Sequence, residues 1–337
     1  MLLNLVVGIF IVKDYGTSTD EGWEFARSSL ALKMYTGALD GAPEQAYYNL
    51  DPDHLAQYYG TAHSTILRII GKFSNPGNRL TYDPFAHYYY FLYFQAAVAG
   101  IFLLARLFVS EWSSLGVAVI FGTQPLLFGH GFINSKDTPL ATVFLLAVVA
   151  GFYMVDRWEK TQTSQFDRSN QRMLVWLAAL ASLLWLKNPF TGAILKVIEY
   201  AYNTRGESIP GKLFSTLTTS GSLAGYLTLT EMLIDDIYRW LCLAAFLAVI
   251  ILFIIHRRKS ESGAHIDLQL LLAAAMWGFA ISTRVIAIAA GGIVGLYGLL
   301  RFRRRSLFPL TAYSLTASIF AYITWPLFWV YGLRGLR

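Results

Sequence analysis

The sequence predicts an all-α integral membrane protein with about nine transmembrane helices, and its composition is the first reason. Of the 337 residues, 55% are hydrophobic and only 14% are charged, and the mean hydropathy is +0.46. A soluble domain has roughly 25% charged residues, because polar side chains must cover its surface. A soluble core of this size does not bury so much apolar surface. We therefore expect the chain to lie in a bilayer.

The cysteine count and the charge distribution exclude some kinds of site and partner. Cys242 is the single cysteine, which excludes an internal disulfide framework and a cysteine-based zinc site. The net charge is +6, but the basic residues concentrate in short loops between apolar runs. This pattern orients membrane proteins, so nucleic acid is not an expected partner.

The apolar runs predict the spans, because a transmembrane helix needs about 17 to 25 mostly apolar residues. The opening run, 1–12, is too short for a complete span. It also lacks the basic region and cleavage site of a signal peptide, so we interpret it as the end of a first helix. The other predicted spans are 84–108, 116–131, 138–155, 173–187, 240–256, 268–283, 285–300 and 307–331.

Clusters of lysine and arginine set the expected orientation. They lie near 157–172, 257–259 and 301–305, and such loops face the cytoplasm. Alternation then places 13–83 and 188–239 outside, as the first and second large extracytoplasmic loops.

We expect a single polytopic domain over 1–331, in a bacterial inner or plasma membrane. Residues 332–337 form a tail, and the sequence leaves open whether the chain is complete at either end. Within the first loop, helical spacing predicts surface helices at Glu24–Tyr35 and Asp53–Phe73. The segment 188–239 is predicted to contain either a surface helix pair or a re-entrant element.

The first candidate for chemistry is the pair Asp20 and Glu21, soon after the first span. Two interpretations stay open. Ser18 or Thr19 caps a helix whose first turn holds these carboxylates, which favour a helix N-terminus. Alternatively, Asp20 is a general base that takes a proton from an attacking hydroxyl.

The second candidate is the segment 130–146. Thr138 is a plausible N-cap, because Pro139 suits the first position of a helix. Lys136 and Asp137 come immediately before it, and a helix N-terminus beside a lysine is an anion site. The alternative is a lysine that extends to the water boundary beside a second capping carboxylate. His130 is a weaker candidate for an acceptor or metal contact.

The third candidate is Arg284, which interrupts an apolar stretch from Leu268 to Leu300. An arginine at the membrane centre costs roughly 2.5–3.5 kcal/mol, so it extends to the surface, pairs or serves a function. It either marks a turn between two helices or binds a lipid phosphate, which suits its planar, always-charged guanidinium.

Together these motifs resemble the polyprenyl-phosphate-dependent glycosyltransferases of the GT-C superfamily. The likeness is greatest to bacterial relatives of protein O-mannosyltransferases and of the aminoarabinose transferase. The matching features are Asp20–Arg27 followed by Gly37, Lys136–Leu140, Gly278–Arg284, and His87 at the start of the second span. The sequence departs from the pattern in a longer region, 157–266, and residues 1–337 are not expected to include the soluble C-terminal domain of the family.

The resemblance implies transfer of a sugar from a polyprenyl-phosphate donor to an acceptor hydroxyl on the extracytoplasmic face. The acceptor is a glycan, a lipid or a protein, as in protein glycosylation or the building of cell-envelope glycans. Asp20 is then the expected base, Glu21 the alternative base, and Asp137 orients acceptor or sugar. Lys136 and Arg284 bind the donor phosphate. His87 and His130 are expected to contact the acceptor or a metal; a divalent cation, Mg²⁺ or Mn²⁺, is an open option, and the spacing requires no metal site.

A transporter or flippase for a lipid-linked or small polar substrate is the alternative function. Intramembrane charge and glycine-rich helices such as Ala289–Gly298 are typical of transporters. However, the sequence shows no inverted repeat, and its acidic residues lie in loops rather than at the bilayer midplane. A structural membrane protein without catalysis is a third interpretation.

Overall fold

The structure is a computed structural model that describes residues 1–38, 59–74, 84–160, 168–204, 207–217, 222–259, 267–326 and 328–329. These residues are almost entirely helical, which confirms the predicted all-α class. Their only extended pairing is an isolated antiparallel bridge between Tyr59 and Arg284.

Thirteen α-helices are present in the part of the chain that the structure describes. They are α1 (Leu2–Ile11), α2 (Thr19–Thr36), α3 (Ala62–Ser74), α4 (Pro84–Ala105), α5 (Glu111–Gly122), α6 (Pro125–Ile133), α7 (Asp137–Lys160), α8 (Arg168–Asn203), α9 (Ile209–Leu217), α10 (Leu223–Lys259), α11 (Leu268–Ile281), α12 (Ile288–Phe302) and α13 (Leu307–Thr324).

Several of these helices are long and apolar enough to cross a membrane, so the protein is an integral membrane protein. Five helical segments in the described ranges meet this criterion, or six if one bent helix pair is counted as a span. Nine spans are predicted from the sequence, and this criterion does not confirm that number. The five segments are Pro84–Ala105, Asp137–Trp158, Gln171–Asn203, Leu223–Ile255 and Val285–Thr324.

The span predicted at 116–131 is broken into α5 and α6, which meet at an angle of 61°. The cause is local. Pro125 has no N–H and disfavours a helical conformation in the residue before it. The side chain of Gln124 accepts a hydrogen bond of 2.9 Å from the N–H of Leu126, so a new helix begins here.

The described residues form two compact units, and the single polytopic domain over 1–331 stays a prediction. The first unit contains the described residues of 1–160 and 267–326, and the second contains those of 168–259 with 328–329. The candidate site residues all belong to the first unit.

The core of the first unit lies where α4 meets its neighbours. The rings of Phe91 and Phe132 stack at 4.1 Å and join α4 to α6. Small buried residues, such as Ala147 of α7 and Ala280 of α11, allow these two helices to pack closely. This framework fixes the start of α7 and the end of α11, where the candidate residues lie.

The first predicted loop contains two helices in its described part. α2 covers the predicted stretch Glu24–Tyr35, and α3 covers the described end of Asp53–Phe73; residues 53–58 lie outside the described ranges. α3 packs against α2, and its outer side exposes Ile66, Ile69 and Ile70.

In the second unit, the described residues of 188–239 are largely helical, and the choice between a surface helix pair and a re-entrant element stays a prediction. α8 continues through Pro189 to Asn203, and α10 begins at Leu223. Lys187 of α8 forms an ion pair of 3.0 Å with Asp235 of α10. Charged residues that interrupt the hydropathy pattern are thus paired between two long helices.

Candidate functional site

Glu21 stabilises the start of α2. Its Oε1 accepts a hydrogen bond of 3.1 Å from the N–H of Ser18, the arrangement of a capping box. The side chain is almost fully buried, and its carboxylate lies 3.3 Å from Nε2 of His87 on α4. Glu21 and His87 therefore join α2 to α4.

Asp20, the neighbouring carboxylate, remains partly exposed and contacts Lys136. The distance from its Oδ2 to Nζ of Lys136 is 2.8 Å, and the Asp20 side chain is 46% exposed. The hydrogen bond that Lys136 donates to Asp20 raises the pKa of Lys136 above its ordinary value; burial opposes this, and the charge of Asp137 adds to it. Lys136 therefore stays cationic.

Asp137 and Arg284 form the second ion pair, with 3.0 Å between Oδ1 and Nη1. α7 begins at Asp137, one residue before the predicted cap Thr138. The cause is Asn134, whose Oδ1 accepts a 2.8 Å hydrogen bond from the N–H of Asp137. Thr138 instead donates to the carbonyl of His130 at 3.3 Å.

Tyr59 lies between the cationic side chains. Nη2 of Arg284 donates a hydrogen bond of 2.7 Å to its hydroxyl, and the Arg284 guanidinium is 4.3 Å from the ring centroid. Arg27 and Lys136 lie 5.1 Å and 5.9 Å from the same centroid. Cations are attracted to aromatic faces at such distances, so this ring helps to gather three positive charges.

The backbone after Tyr59 packs tightly against the end of α11. The N–H of Ala62 donates to the carbonyl of Ser282 at 3.2 Å. A Cβ on Gly60 would lie 1.7 Å from the same oxygen, so this approach requires glycine. Ser282 is in turn held by a hydrogen bond of 3.0 Å from its Oγ to the carbonyl of Ala321.

A buried polar cluster lies next to the exposed pairs. Glu24, Arg27 and His63 have exposed fractions of 2%, 7% and 1%. Arg27 donates a hydrogen bond to Glu24, and Nε2 of His63 donates one of 2.9 Å to the carbonyl of Ser135. Burial lowers the pKa of His63, although Glu24 at 3.9 Å partly opposes this. His63 is therefore neutral at pH 7.

The structure brings four of the predicted site residues together: Asp20 with Lys136, and Asp137 with Arg284. Glu21 and His87 form a buried pair beside them. The ring of His130 is exposed on α6, and within the described residues no hydrogen bond or ion pair joins it to the other candidates. Its predicted role as an acceptor or metal contact stays a prediction.

Tyr59 and His63 are missing from the sequence-based candidates. Both lie in or beside a segment that helical spacing predicts as a surface helix, and that pattern does not distinguish them from packing residues. Arg27 and Glu24 do occur in the motif that begins at Asp20, but only as part of the resemblance and of the expected first turn.

No group of three or more His, Cys, Asp or Glu side chains within the described ranges is arranged to hold a metal ion. The option of Mg²⁺ or Mn²⁺, with His87 or His130 as a contact, stays a prediction.

Comparison of the chain with protein-family models, with curated proteins and with solved structures finds no match.

Proposed function

We propose that the protein is a membrane glycosyltransferase that moves a sugar from a polyprenyl-phosphate donor to an acceptor hydroxyl. The observation that carries this proposal is the pairing of Asp20 with Lys136 beside the pairing of Asp137 with Arg284. Two carboxylates and two cations from three separate parts of the chain lie together at the surface of the first unit, with Tyr59 beside both cations. Such a group supplies both a base and phosphate ligands.

In the proposed reaction, Asp20 accepts the proton of the acceptor hydroxyl as its oxygen attacks C1 of the sugar. The new bond joins that oxygen to C1. The bond from C1 to the phosphate oxygen breaks, and its electron pair leaves with the polyprenyl phosphate. Lys136 and Arg284 stabilise the charge that develops on this phosphate. Asp137 orients Arg284, and Glu21, buried and paired, is the less suitable base.

Binding of the sugar donor would activate the site by exchanging partners within the two ion pairs. Its phosphate competes with Asp20 for Lys136 and with Asp137 for Arg284. Phosphate binding to Lys136 frees the Asp20 carboxylate to accept a proton. The side chains of Asp20 and Lys136 are 46% and 28% exposed, which leaves both accessible to a substrate.

We further propose nine spans, with the site at the extracytoplasmic face of a bacterial inner or plasma membrane. The number nine results when the bent α5–α6 pair counts as one span and α12 and α13 count separately. The other six spans are α1, α4, α7, α8, α10 and α11. The break between α12 and α13 supports it, because Arg303, Arg304 and Arg305 are exposed there. Such a basic turn is typical of a cytoplasmic loop.

The test uses purified full-length protein in liposomes with radiolabelled polyprenyl-phosphate sugars and a membrane extract as the source of acceptors. Wild type is compared with Asp20→Asn, which keeps the shape of the side chain but loses the base. The matched control is Asp14→Asn, since Asp14 is also exposed and lies six residues earlier.

We expect Asp20→Asn to lower turnover about 10²–10⁴-fold, the usual contribution of a positioned base, and Asp14→Asn to retain it. Turnover that survives in a folded Asp20→Asn protein contradicts the role of Asp20. Sugar that crosses the bilayer without bond cleavage contradicts the transferase and supports a transporter.

A further inference from the structure

A buried histidine, His63, donates a hydrogen bond to the turn that precedes α7. This turn, residues 134–137, carries both Lys136 and Asp137, and Ser135 in its middle is fully buried. Nε2 of His63, on α3, donates a hydrogen bond of 2.9 Å to the carbonyl of Ser135. The two residues are 72 positions apart in the chain. The contact therefore ties the first large loop to the turn.

His63 is itself held firmly. Its side chain is 1% exposed, and the hydroxyl of Tyr89 on α4 donates a 2.8 Å hydrogen bond to its carbonyl. Glu24 lies 3.9 Å from the same Nε2 that contacts Ser135. Because both the backbone and the side chain of His63 are held, its Nε2–H group points steadily at the carbonyl of Ser135.

The same buried cluster also reaches the second cation. Glu24 accepts a hydrogen bond from Arg27, and Arg27 lies over the ring of Tyr59. Tyr59 in turn accepts a hydrogen bond from Arg284. These contacts form a continuous series from Ser135 to Arg284. Arg284 pairs with Asp137, which is the second residue after Ser135, so the series begins and ends at the same turn.

We infer that His63 is a positioning residue for the candidate site: its hydrogen bond to Ser135 holds the 134–137 turn so that Lys136 faces Asp20 and Asp137 faces Arg284. The placement of the turn follows from the contacts alone. The consequence for donor binding rests on the proposed function. His63 touches neither of the two ion pairs directly, so it acts through the backbone.

The side chain of glutamine distinguishes a positioning role from simple packing. The amide nitrogen of glutamine lies about as far from the backbone as Nε2 of histidine and donates a hydrogen bond. His63→Gln therefore preserves the donor to Ser135. His63→Leu fills similar space without a donor, and His63→Asn has a donor too close to the backbone to reach Ser135.

The first measurement is the rate at which an amine-acylating reagent modifies Lys136 in the purified full-length protein, followed by mass spectrometry. The exposed residues Lys13 and Lys33 are the internal references. Asp20→Asn is the positive control, because it removes the partner of Lys136 directly. We expect His63→Leu to speed modification about three- to tenfold, the factor for one buried hydrogen bond, and His63→Gln to match wild type.

The second measurement is donor KM and kcat in the transfer assay. His63→Leu is expected to raise KM for the donor about three- to tenfold, and His63→Gln to restore it. If wild type transfers no sugar, the proposed function fails, but the Lys136 rates still decide the role of His63.

Equal Lys136 rates in wild type and in folded His63→Leu overturn the inference. A His63→Gln protein that behaves like His63→Leu also overturns it, because the hydrogen bond to Ser135 would then not explain the effect of the substitution. If His63→Leu does not fold, His63→Asn takes its place with the same expected result and the same contradiction.

Discussion

Arg284 donates a 2.7 Å hydrogen bond to the hydroxyl of Tyr59, 225 residues earlier in the chain. The backbones of the two residues also form an antiparallel bridge. This double contact fixes the first large loop to the break between α11 and α12. It thereby holds Arg284 beside Asp137, its ion-pair partner at 3.0 Å.

The first prediction concerns the hydroxyl of Tyr59. Tyr59→Phe keeps the ring beside the cations but removes the acceptor for Arg284. Because a hydrogen bond to a charged group is worth roughly 1.5–3 kcal/mol, we expect kcat/KM for the donor to fall about tenfold or more. The control is Tyr153→Phe, which removes a 3.1 Å hydrogen bond from Tyr153, far from the start of α7, to the carbonyl of Leu103 on α4. Equal activity in the two variants contradicts the role of Tyr59.

The second prediction concerns the close approach at Gly60. Gly60→Ala places a Cβ 1.7 Å from the carbonyl oxygen of Ser282, so the backbone must move. Overpacking of this kind costs about 1–3 kcal/mol, and the apparent melting temperature in detergent should fall.

Gly22→Ala is the matched control, because nothing lies within 4 Å of a Cβ at that position of α2. Alanine there should stabilise the protein by about 0.4–1 kcal/mol through the unfolded state. A Gly60→Ala protein that melts at the wild-type temperature would show that the contact with Ser282 is unimportant.

The third prediction separates Glu21 from Asp20. Glu21→Gln keeps an oxygen that accepts the N–H of Ser18, whereas Glu21→Leu removes the cap and leaves His87 without its partner. We expect Glu21→Leu to lose about 1–3 kcal/mol of stability and Glu21→Gln to lose less. Glu21→Gln should also retain far more turnover than Asp20→Asn. The reverse order of the two activities would make Glu21 the base.

The fourth prediction is a pH dependence of stability that comes from His63. Burial lowers its pKa in the folded protein, so below about pH 6.5 the unfolded chain binds the proton more readily. Stability is therefore unaffected by this group above pH 6.5 and decreases as the pH falls below it, with a limiting slope of about 1.4 kcal/mol per pH unit.

The check is the apparent melting temperature from pH 7.5 down to 5.5. His63→Gln should lose less stability than wild type over this interval, and His130→Gln, which changes an exposed ring, should follow wild type. Parallel curves for wild type and His63→Gln would exclude a buried neutral His63.

Local sequence signals predict the parts of the site that depend on local structure. Ser18, one of the two predicted caps, and the carboxylates of the first turn mark the start of α2. Charges next to apolar runs single out Lys136 and Arg284. These signals work because capping and membrane insertion act within a few residues of the chain.

The sequence does not reveal the contacts between distant segments of the chain. Tyr59 and His63 acquire their roles only when the first loop packs against α11 and the turn before α7. The second unit gives another example. The ion pair between Lys187 and Asp235 forms only once α8 and α10 lie side by side.

The most direct test of the glycosyltransferase is the stoichiometry of the reaction in liposomes that contain the wild-type protein. A donor labelled in both the sugar and the lipid phosphate is incubated with acceptor, and the products are separated. We predict one polyprenyl phosphate released for each sugar found on the acceptor. Intact donor recovered on the other side of the bilayer, with neither product formed, would contradict the account.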